Sequence, residues 1–450
     1  MRQELIRWFE SSRVPRYTSY PTAPHFGPAI GPGQHALWLQ RIAPDEPVSL
    51  YLHVPFCRVL CWYCGCHTRL TRDQGRIDAY GASLRAEIDL VAAQLEGRLP
   101  LTHLHWGGGT PTTLGPEGFR VTMRKVQEHF RVLPEAELAV ELDPRTVDAA
   151  MLDALRDCGI NRASLGVQSF DPTVQKAINR IQSFAVTAEV IEGLRARGVP
   201  GVNVDLLYGL PHQTVTNCLD TVRQVASLRP DRIAVFGYAH VPGFKQHQQM
   251  IDEAALPDAA ERVAQYEAIG DALVAEGYVR IGLDHFALPH DAMAQAAAAG
   301  TLRRNFQGYT TDPAGTLIGL GASSISSFRE GYIQNEVDLK AWRDAVRAGR
   351  LPTARGVALT AEDRLVRDVI EALMCRGEVD LARIAAAHGM PVAACEPDPE
   401  RMAELLRLGI VRRDGSRVIV AEDCRALLRV AAAAFDRYLA AGAGRHAVAV

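Results

Sequence analysis

No apolar run in this 450-residue chain approaches the ~18 residues that a membrane-crossing helix needs. The amino-terminal stretch Met1-Arg2-Gln3-Glu4-Leu5-Ile6-Arg7 carries charge where a signal peptide has its apolar core, so the expected location is the cytoplasm. An excess of either charge is also missing. Lys and Arg number 49 against 52 Asp and Glu, the formal net charge is -3, and no basic tract supplies a local field. Neither nucleic acid nor an anionic membrane is expected as a partner; a small molecule is. Cysteine is sparse outside one short stretch. Cys158, Cys218, Cys375, Cys395 and Cys424 stand singly among apolar or helical neighbours, as small buried hydrophobes do. An odd total of nine in a reducing compartment argues against a disulfide framework and for metal or redox chemistry where cysteines do cluster.

What is present is a repeating alternation. Short β-branched runs at 48–54, 102–106, 138–142, 163–167, 202–207 and 233–238 alternate with helical patterns over 78–95, 116–130, 148–158, 184–197 and 215–228. This predicts an α/β fold with a parallel sheet and helices outside it. Polar or glycine-rich residues follow nearly every run, and chemistry drawn from many strand ends is barrel behaviour rather than that of a doubly wound nucleotide fold. A helix at 259–275, a strand at 278–283 and an apolar run at 316–326 are expected to finish or cap the sheet. From residue 360 the pattern is mainly helical and rich in Ala and Arg, with one weak hairpin at 410–419, and predicts a separate carboxy-terminal domain. Gly319-Leu320-Gly321-Ala322-Ser323-Ser324 misses the last glycine of a dinucleotide fingerprint and lacks its context.

The remaining four cysteines, Cys57, Cys61, Cys64 and Cys66, fall within ten residues, three of them in a C-x3-C-x2-C loop directly after the first strand. Thiolates bind iron-sulfur cubanes, and three ligands to a four-iron cluster leave one iron open to another ligand. A zinc knot with Cys66 as fourth ligand stays open on spacing alone. The second strand ends in Trp106-Gly107-Gly108-Gly109-Thr110-Pro111, where missing side chains would let backbone approach a ligand; taken singly it could equally be a tight turn.

The two together resemble the radical S-adenosylmethionine (SAM) superfamily. Within it, Arg16-Tyr17-Thr18-Ser19-Tyr20-Pro21-Thr22, Tyr51-Leu52-His53-Val54-Pro55-Phe56-Cys57, Gly166-Val167-Gln168-Ser169-Phe170, Asp205-Leu206-Leu207-Tyr208-Gly209-Leu210-Pro211, Asp284-His285-Phe286-Ala287 and Arg304-Asn305-Phe306-Gln307-Gly308-Tyr309 are similar to the oxygen-independent coproporphyrinogen III oxidase family. The resemblance spans nearly the whole chain. It implies an amino-terminal extension at the active-site mouth (1–47), a partial (β/α)6 barrel with accessory elements (48–350) and a mainly helical carboxy-terminal domain (351–450). It also implies a [4Fe-4S] cluster, two SAM molecules, and conversion of two propionates of coproporphyrinogen III to vinyls through a 5'-deoxyadenosyl radical. An electron donor such as flavodoxin or ferredoxin and a monomeric state complete the expectation.

Residue by residue, the resemblance assigns Cys57, Cys61 and Cys64 to the cluster and makes Cys66 essential without being a ligand. It places Tyr51, Gly108, Glu141 and Ile325 at the first SAM, and Tyr63, Gly109, Thr110, Gln168, Arg180, Asp205 and Ala239 at the second. Carboxylates such as Glu141 and Asp205 suit ribose hydroxyls or an ammonium group, and Arg180 suits a methionyl carboxylate. Candidate partners for the substrate carboxylates are Arg16, Arg72, Arg162 and Arg304. His53 and His285 read as structural. Lys245-Gln246-His247-Gln248-Gln249-Met250 is less basic than the family pattern, which would matter if that segment bound substrate. A rival within the family's relatives is a heme chaperone, which has phenylalanine in place of Cys66 and lacks the 16–22 segment; both features favour the oxidase. A heme-degrading radical SAM methyltransferase is a weaker third reading.

Overall fold

Runs of Val, Leu and Ile that are buried on both faces build the central sheet of the computed structural model, which describes residues 5–6 and 13–439. Twelve strands make up this sheet: β1 (Val48–Val54), β2 (Pro100–Gly108), β3 (Arg131–Leu142), β4 (Arg162–Gln168), β5 (Gly201–Tyr208), β6 (Arg232–Gly237), β7 (Val279–Ile281), β8 (His285–Ala287), β9 (Thr316–Leu320), β10 (Ile325–Ser327), β11 (Gly331–Asn335) and β12 (Thr353–Ala358). Their spatial order is β12-β11-β10-β9-β1-β2-β3-β4-β5-β6-β8-β7. From β9 through β1 to β6 neighbours run parallel. Antiparallel strands flank them at both edges. Among the described residues no pairing joins the two outermost strands, so the α/β sheet is an arc rather than a closed barrel.

Helices Gln74–Ala92, Gly115–His129, Ala149–Asp157, Phe184–Ala196 and Val215–Ser227 follow β1 to β5 in turn. Four of them start where a side-chain oxygen satisfies a free backbone N–H: Asp73 accepts from Arg76, Asp148 from Met151, Ser183 from Val186, and Thr214 forms a reciprocal capping box with Asn217. Among the described residues no helix is long and apolar enough to cross a membrane.

Three departures from the sequence pattern have physical causes. The run at 316–326 is two antiparallel strands, β9 and β10, because Gly321 takes φ 95° and turns the chain back; a Cβ there would lie 2.5 Å from the His53 carbonyl oxygen. β3 starts seven residues early, at Arg131, since its first half is largely exposed and Pro134 and two glutamates interrupt its apolar residues. Strands β8, β11 and β12 lack a clear alternating pattern, and each pairs antiparallel with its neighbours. The hairpin expected at 410–419 is present as Val411–Asp414 and Arg417–Val420, joined by Glu378–Asp380 into a three-stranded sheet among helices of the carboxy-terminal segment. Segments from opposite parts of the sequence meet: the Tyr17 hydroxyl donates to Asp436 at 2.9 Å, and the Tyr20 hydroxyl accepts from the Arg437 backbone at 3.0 Å.

Arg162, a candidate for the substrate carboxylates, begins β4 at the end of the sheet remote from the cysteine loop. Its guanidinium donates to Glu137 at 2.9 Å and Asp291 at 3.0 Å, and Arg232 donates to the same Asp291 at 2.7 Å. Burial opposes the Glu137 charge, but Arg232 and Arg162 outweigh it and push its pKa down to about 2. Arg162 is thus spent on a buried ion network, and its candidacy is corrected.

Glu87 is buried on the helix after β1 and accepts from the Gly321 backbone (2.7 Å), Trp342 Nε1 (3.0 Å) and Asn335 Nδ2 (2.6 Å). Burial outweighs these donors and raises its pKa from 4.5 to about 7. Because the folded value is raised, the stabilising contribution of the protonated form is complete below about 4.5 and is lost as pH rises through about 7. Against Glu87→Gln, which cannot titrate, wild-type stability is expected to fall by up to ~3 kcal/mol between pH 4.5 and 7.5. A melting-temperature difference between the two proteins that does not change across that range would refute the assignment.

Candidate active site

The site forms where strands β1 to β6 end. β1 runs into Phe56 and Cys57, which pair with Arg69–Leu70, so the intervening residues form a loop held at both ends. Cys57, Cys61, Cys64 and Cys66 are all free thiols and all line one cavity of about 730 Å³. Tyr63, Gly108, Gly109, Thr110, Glu141, Gln168, Arg180, Asp205 and Ala239 line the same cavity. These thirteen residues, spread from Cys57 to Ala239, are therefore neighbours, most of them because they sit near a strand end.

Each cysteine has a distinct environment. The Thr110 hydroxyl donates to Cys57 Sγ at 3.6 Å, while burial pushes the Cys57 thiol up to about 12. Buried Cys61 accepts from Arg180 Nη1 at 3.4 Å and Arg145 Nη2 at 3.5 Å. A hydrogen bond between Cys66 and Cys64 holds the Cys64 thiol below its usual value and drives that of Cys66 up. Two guanidiniums against one sulfur are suited to a thiolate or an anionic cluster, not to a neutral thiol. A cubane takes each thiolate on a different iron, and three thiols on one cavity wall with two guanidiniums against Cys61 are a donor set that fits an iron-sulfur cluster.

Arg145 and Arg180 are themselves fixed by Asp143, which accepts from Arg145 Nη2 at 2.7 Å and Arg180 Nη2 at 3.5 Å. Burial works against the Asp143 charge, and the two arginines overcome it and lower its pKa. Arg180 also donates to the Gly166 carbonyl at 2.6 Å and is almost fully buried. Gln168 ends β4 with φ 70°, a left-handed conformation that costs a non-glycine residue roughly 1 to 3 kcal/mol and so marks a constrained position.

Of the carboxylates that line the cavity beside Asp143, Glu141 and Asp205 are the two singled out in the sequence. Glu141 accepts from His105 Nε2 (3.1 Å) and the Gly108 backbone (3.1 Å), and His105 stacks on Tyr51 at 5.9 Å. Tyr51 thus reaches the site through His105 rather than by lining the cavity. Asp205 accepts from Asn203 Nδ2 (2.8 Å) and the Ser164 hydroxyl (3.1 Å); burial first, and then the Glu141 charge, raise its pKa to about 6. Ile325 opens β10 and packs with Phe26 and Tyr332, outside the cavity lining.

The glycines have a tighter role than ligand access. A Cβ on Gly107 would lie 2.8 Å from Glu141, one on Gly108 2.7 Å from the His53 ring, and one on Gly109 2.7 Å from the Phe56 carbonyl. They bring β2 against the residues that carry the site. His53 is structural as expected: Nε2–H donates to the His67 carbonyl at 3.2 Å, Nδ1 accepts from the Tyr51 hydroxyl at 3.1 Å, and burial lowers its pKa to about 4. His285 lines the cavity and donates from Nδ1 to Asp284 at 2.7 Å.

The 245–250 segment makes contacts with the cysteine loop. Lys245 Nζ donates to the Cys66 carbonyl (2.8 Å), His247 Nε2 to that of Cys64 (2.7 Å) and Gln248 Nε2 to those of Tyr63 (2.9 Å) and Ala239 (3.2 Å). Its polar composition is a brace for the loop. Of the arginine candidates, Arg16 and Arg304 line the cavity and Arg72 does not. Sequence reading missed Arg145, His105, Gln248 and Arg429. Arg145 had a faint signal, two residues past Asp143 at a strand end; Arg429 lies in the alanine-rich helix Leu428–Ala433 and resembles a solvated helix arginine.

Comparison with known proteins agrees with this geometry. Residues 51–225 match the Radical SAM superfamily. The oxygen-independent coproporphyrinogen III oxidase of Bradyrhizobium diazoefficiens is 54% identical over 450 residues, covering 100% of both chains. That of Escherichia coli is 40% identical over 428 residues, 94% of this chain and 93% of the relative. The solved structure of the Escherichia coli coproporphyrinogen III oxidase, described as a radical SAM enzyme, superposes with a TM-score of 0.90 at 37% identity, covering 95% of this chain and 100% of the other. The chain belongs to the oxygen-independent coproporphyrinogen III oxidase family of the radical SAM superfamily.

Proposed function

We propose that this chain oxidatively decarboxylates two propionates of coproporphyrinogen III to vinyl groups, giving protoporphyrinogen IX, with a [4Fe-4S] cluster and two SAM molecules. The observation that carries this reading is the buried Cys61 sulfur held between Arg145 and Arg180 at the wall of a roughly 730 Å³ cavity that also holds Glu141 and Asp205. Cys57, Cys61 and Cys64 hold the cluster. When bound, cluster and SAM supply a 5'-deoxyadenosyl radical able to take a hydrogen from the propionate carbon next to the pyrrole.

The chain's own residues bind, orient and keep the site dry. Glu141, fixed by His105 and the Gly108 backbone, is placed with Tyr51 and Gly108 for one SAM. Arg180, Asp205, Gln168, Tyr63, Gly109, Thr110 and Ala239 serve the other. Ile325 joins the first set by resemblance alone. Asp205 near pKa 6 is ionised at neutral pH and can accept from ribose hydroxyls. Cys66, exposed at the cavity and bonded to Cys64, is the essential cysteine that is not a ligand. Residues 1–47 correspond to the extension at the mouth, 48–350 to the catalytic unit and 351–450 to the carboxy-terminal domain of a cytoplasmic monomer reduced by a flavodoxin or ferredoxin; of these, 1–4, 7–12 and 440–450 lie outside the described residues.

The test is turnover by anaerobically purified, cluster-reconstituted protein given SAM, dithionite, an electron acceptor and coproporphyrinogen III. Protoporphyrin fluorescence after oxidation, with 5'-deoxyadenosine formed in proportion, is the expected result. An intact cluster that cleaves SAM yet yields no protoporphyrin would overturn the reading, and stable heme binding by that sample would favour the chaperone.

A further inference from the structure

Three arginines from three distant parts of the chain line the same cavity: Arg16 from the amino-terminal segment, Arg304 from the hairpin Arg303–Asn305/Gly308–Thr310, and Arg429 from Leu428–Ala433. Arg304 donates from Nη2 to the Arg16 carbonyl and from Nε to the Tyr17 carbonyl, each at 3.3 Å, and its guanidinium lies 4.4 Å from the Tyr309 ring centroid. Those contacts hold the Arg304 guanidinium in place, while its Nη1 is buried with no hydrogen-bond partner. Arg429 is 6% exposed. Burial, with the charges of Arg16 and Arg304 adding to it, lowers the Arg429 pKa to about 10, so the three sit close enough to repel. The carboxylate they face is Asp284, which is already bonded to His285 and held ionised by His285, Arg304 and Arg16 despite its burial. Buried like charges with an unsatisfied donor are costly unless an anion completes them. Elsewhere on the wall Arg145 and Arg180 are bonded to Asp143, so the trio stands as a separate group of guanidiniums beside Asp284.

We infer that Arg16, Arg304 and Arg429 are the seat for the two propionates that coproporphyrinogen III keeps, an inference that rests on the proposed function and deepens it. A propionate that reacts must leave as neutral carbon dioxide, and a buried guanidinium bonded to it would stabilise the starting carboxylate and oppose the loss. The two retained propionates are under no such conflict. Their charge is opposite to that of the guanidiniums, and planar guanidiniums bind carboxylates bidentately. Binding them fixes which other propionates point toward the cysteine side of the cavity.

The test is binding of porphyrins to the full-length protein, followed by fluorescence quenching. Coproporphyrin III is expected to bind at least ~10-fold more tightly than its tetramethyl ester, since a charge-assisted pair contributes about 1.5 to 3 kcal/mol. Arg429→Gln and Arg304→Gln are each expected to weaken coproporphyrin III and protoporphyrin IX by a similar factor of ~10 or more, because both porphyrins carry the retained propionates. Arg429→Lys should recover part of the loss, with melting temperature and iron content as checks on folding. If a glutamine variant does not fold, the ester comparison on wild type decides. Equal binding of acid and ester, unchanged affinity in the variants, or a loss for coproporphyrin III without one for protoporphyrin IX would each overturn the seat. Wild-type turnover alongside any of these leaves the proposed function standing; absence of wild-type turnover and binding together would remove both.

Discussion

Cys61→Ser is expected to bleach the reconstituted protein and bring protoporphyrin formation to background. A serine hydroxyl does not ionise at neutral pH and is a poor iron ligand, and the position has no substitute: Cys66 is engaged with Cys64, and Arg145 and Arg180 are aimed at the sulfur of Cys61. The same change at Cys57 or Cys64 should have the same effect, because the proposed ligand set consists of these two with Cys61. Cys66→Ser separates the roles. It should retain the iron-sulfur absorbance and iron content of wild type while losing product, since the proposed role of Cys66 lies outside the ligand set. Cluster loss in Cys66→Ser, or an intact cluster in Cys61→Ser, measured by absorbance and iron analysis, would reverse the assignment of ligands.

The second large effect is expected at Arg180. Its guanidinium satisfies the Gly166 carbonyl, Cys61 Sγ and Asp143 from a nearly fully buried position. Arg180→Ala leaves a cavity, a Gly166 carbonyl that loses its shorter donor and keeps Gln182 Nε2 at 3.2 Å, and an Asp143 that retains Arg145 alone. Removing one partner of a buried ion pair costs about 3 to 5 kcal/mol, a large share of the stability of a typical domain. A melting temperature lowered by several degrees and a cluster lost more readily to a chelator are the expected readouts. Arg180→Lys keeps the charge but cannot fork between the Gly166 carbonyl and the sulfur, so its effect should fall between alanine and wild type. A variant as stable as wild type, with its cluster retained, would show that Arg180 is not what holds the loop against β4.

Much of this architecture was legible because its signals are local. β-branched runs buried on both faces marked β1, β2, β4, β5 and β6. The cysteine spacing and the three glycines marked the site, and the glycines also leave room for Glu141, His53 and Phe56. What stayed hidden depends on contacts between remote segments. Arg162 and Arg304 look alike as strand-start arginines, yet Glu137 and Asp291 claim the first and the cavity receives the second. Gln248 has no motif, and its value lies in three hydrogen bonds that appear only when 245–250 folds over the cysteine loop. Arg429 is invisible for the same reason.

The bonds that join Tyr17 to Asp436 and Tyr20 to Arg437 also bear on when the site can be completed during folding. Arg16, beside Tyr17, and Arg429, shortly before Asp436, wall the same cavity, so segments about 400 residues apart finish a single enclosure. A partly folded molecule can therefore hold all four cysteines on one loop while the cavity around them still stands open to solvent.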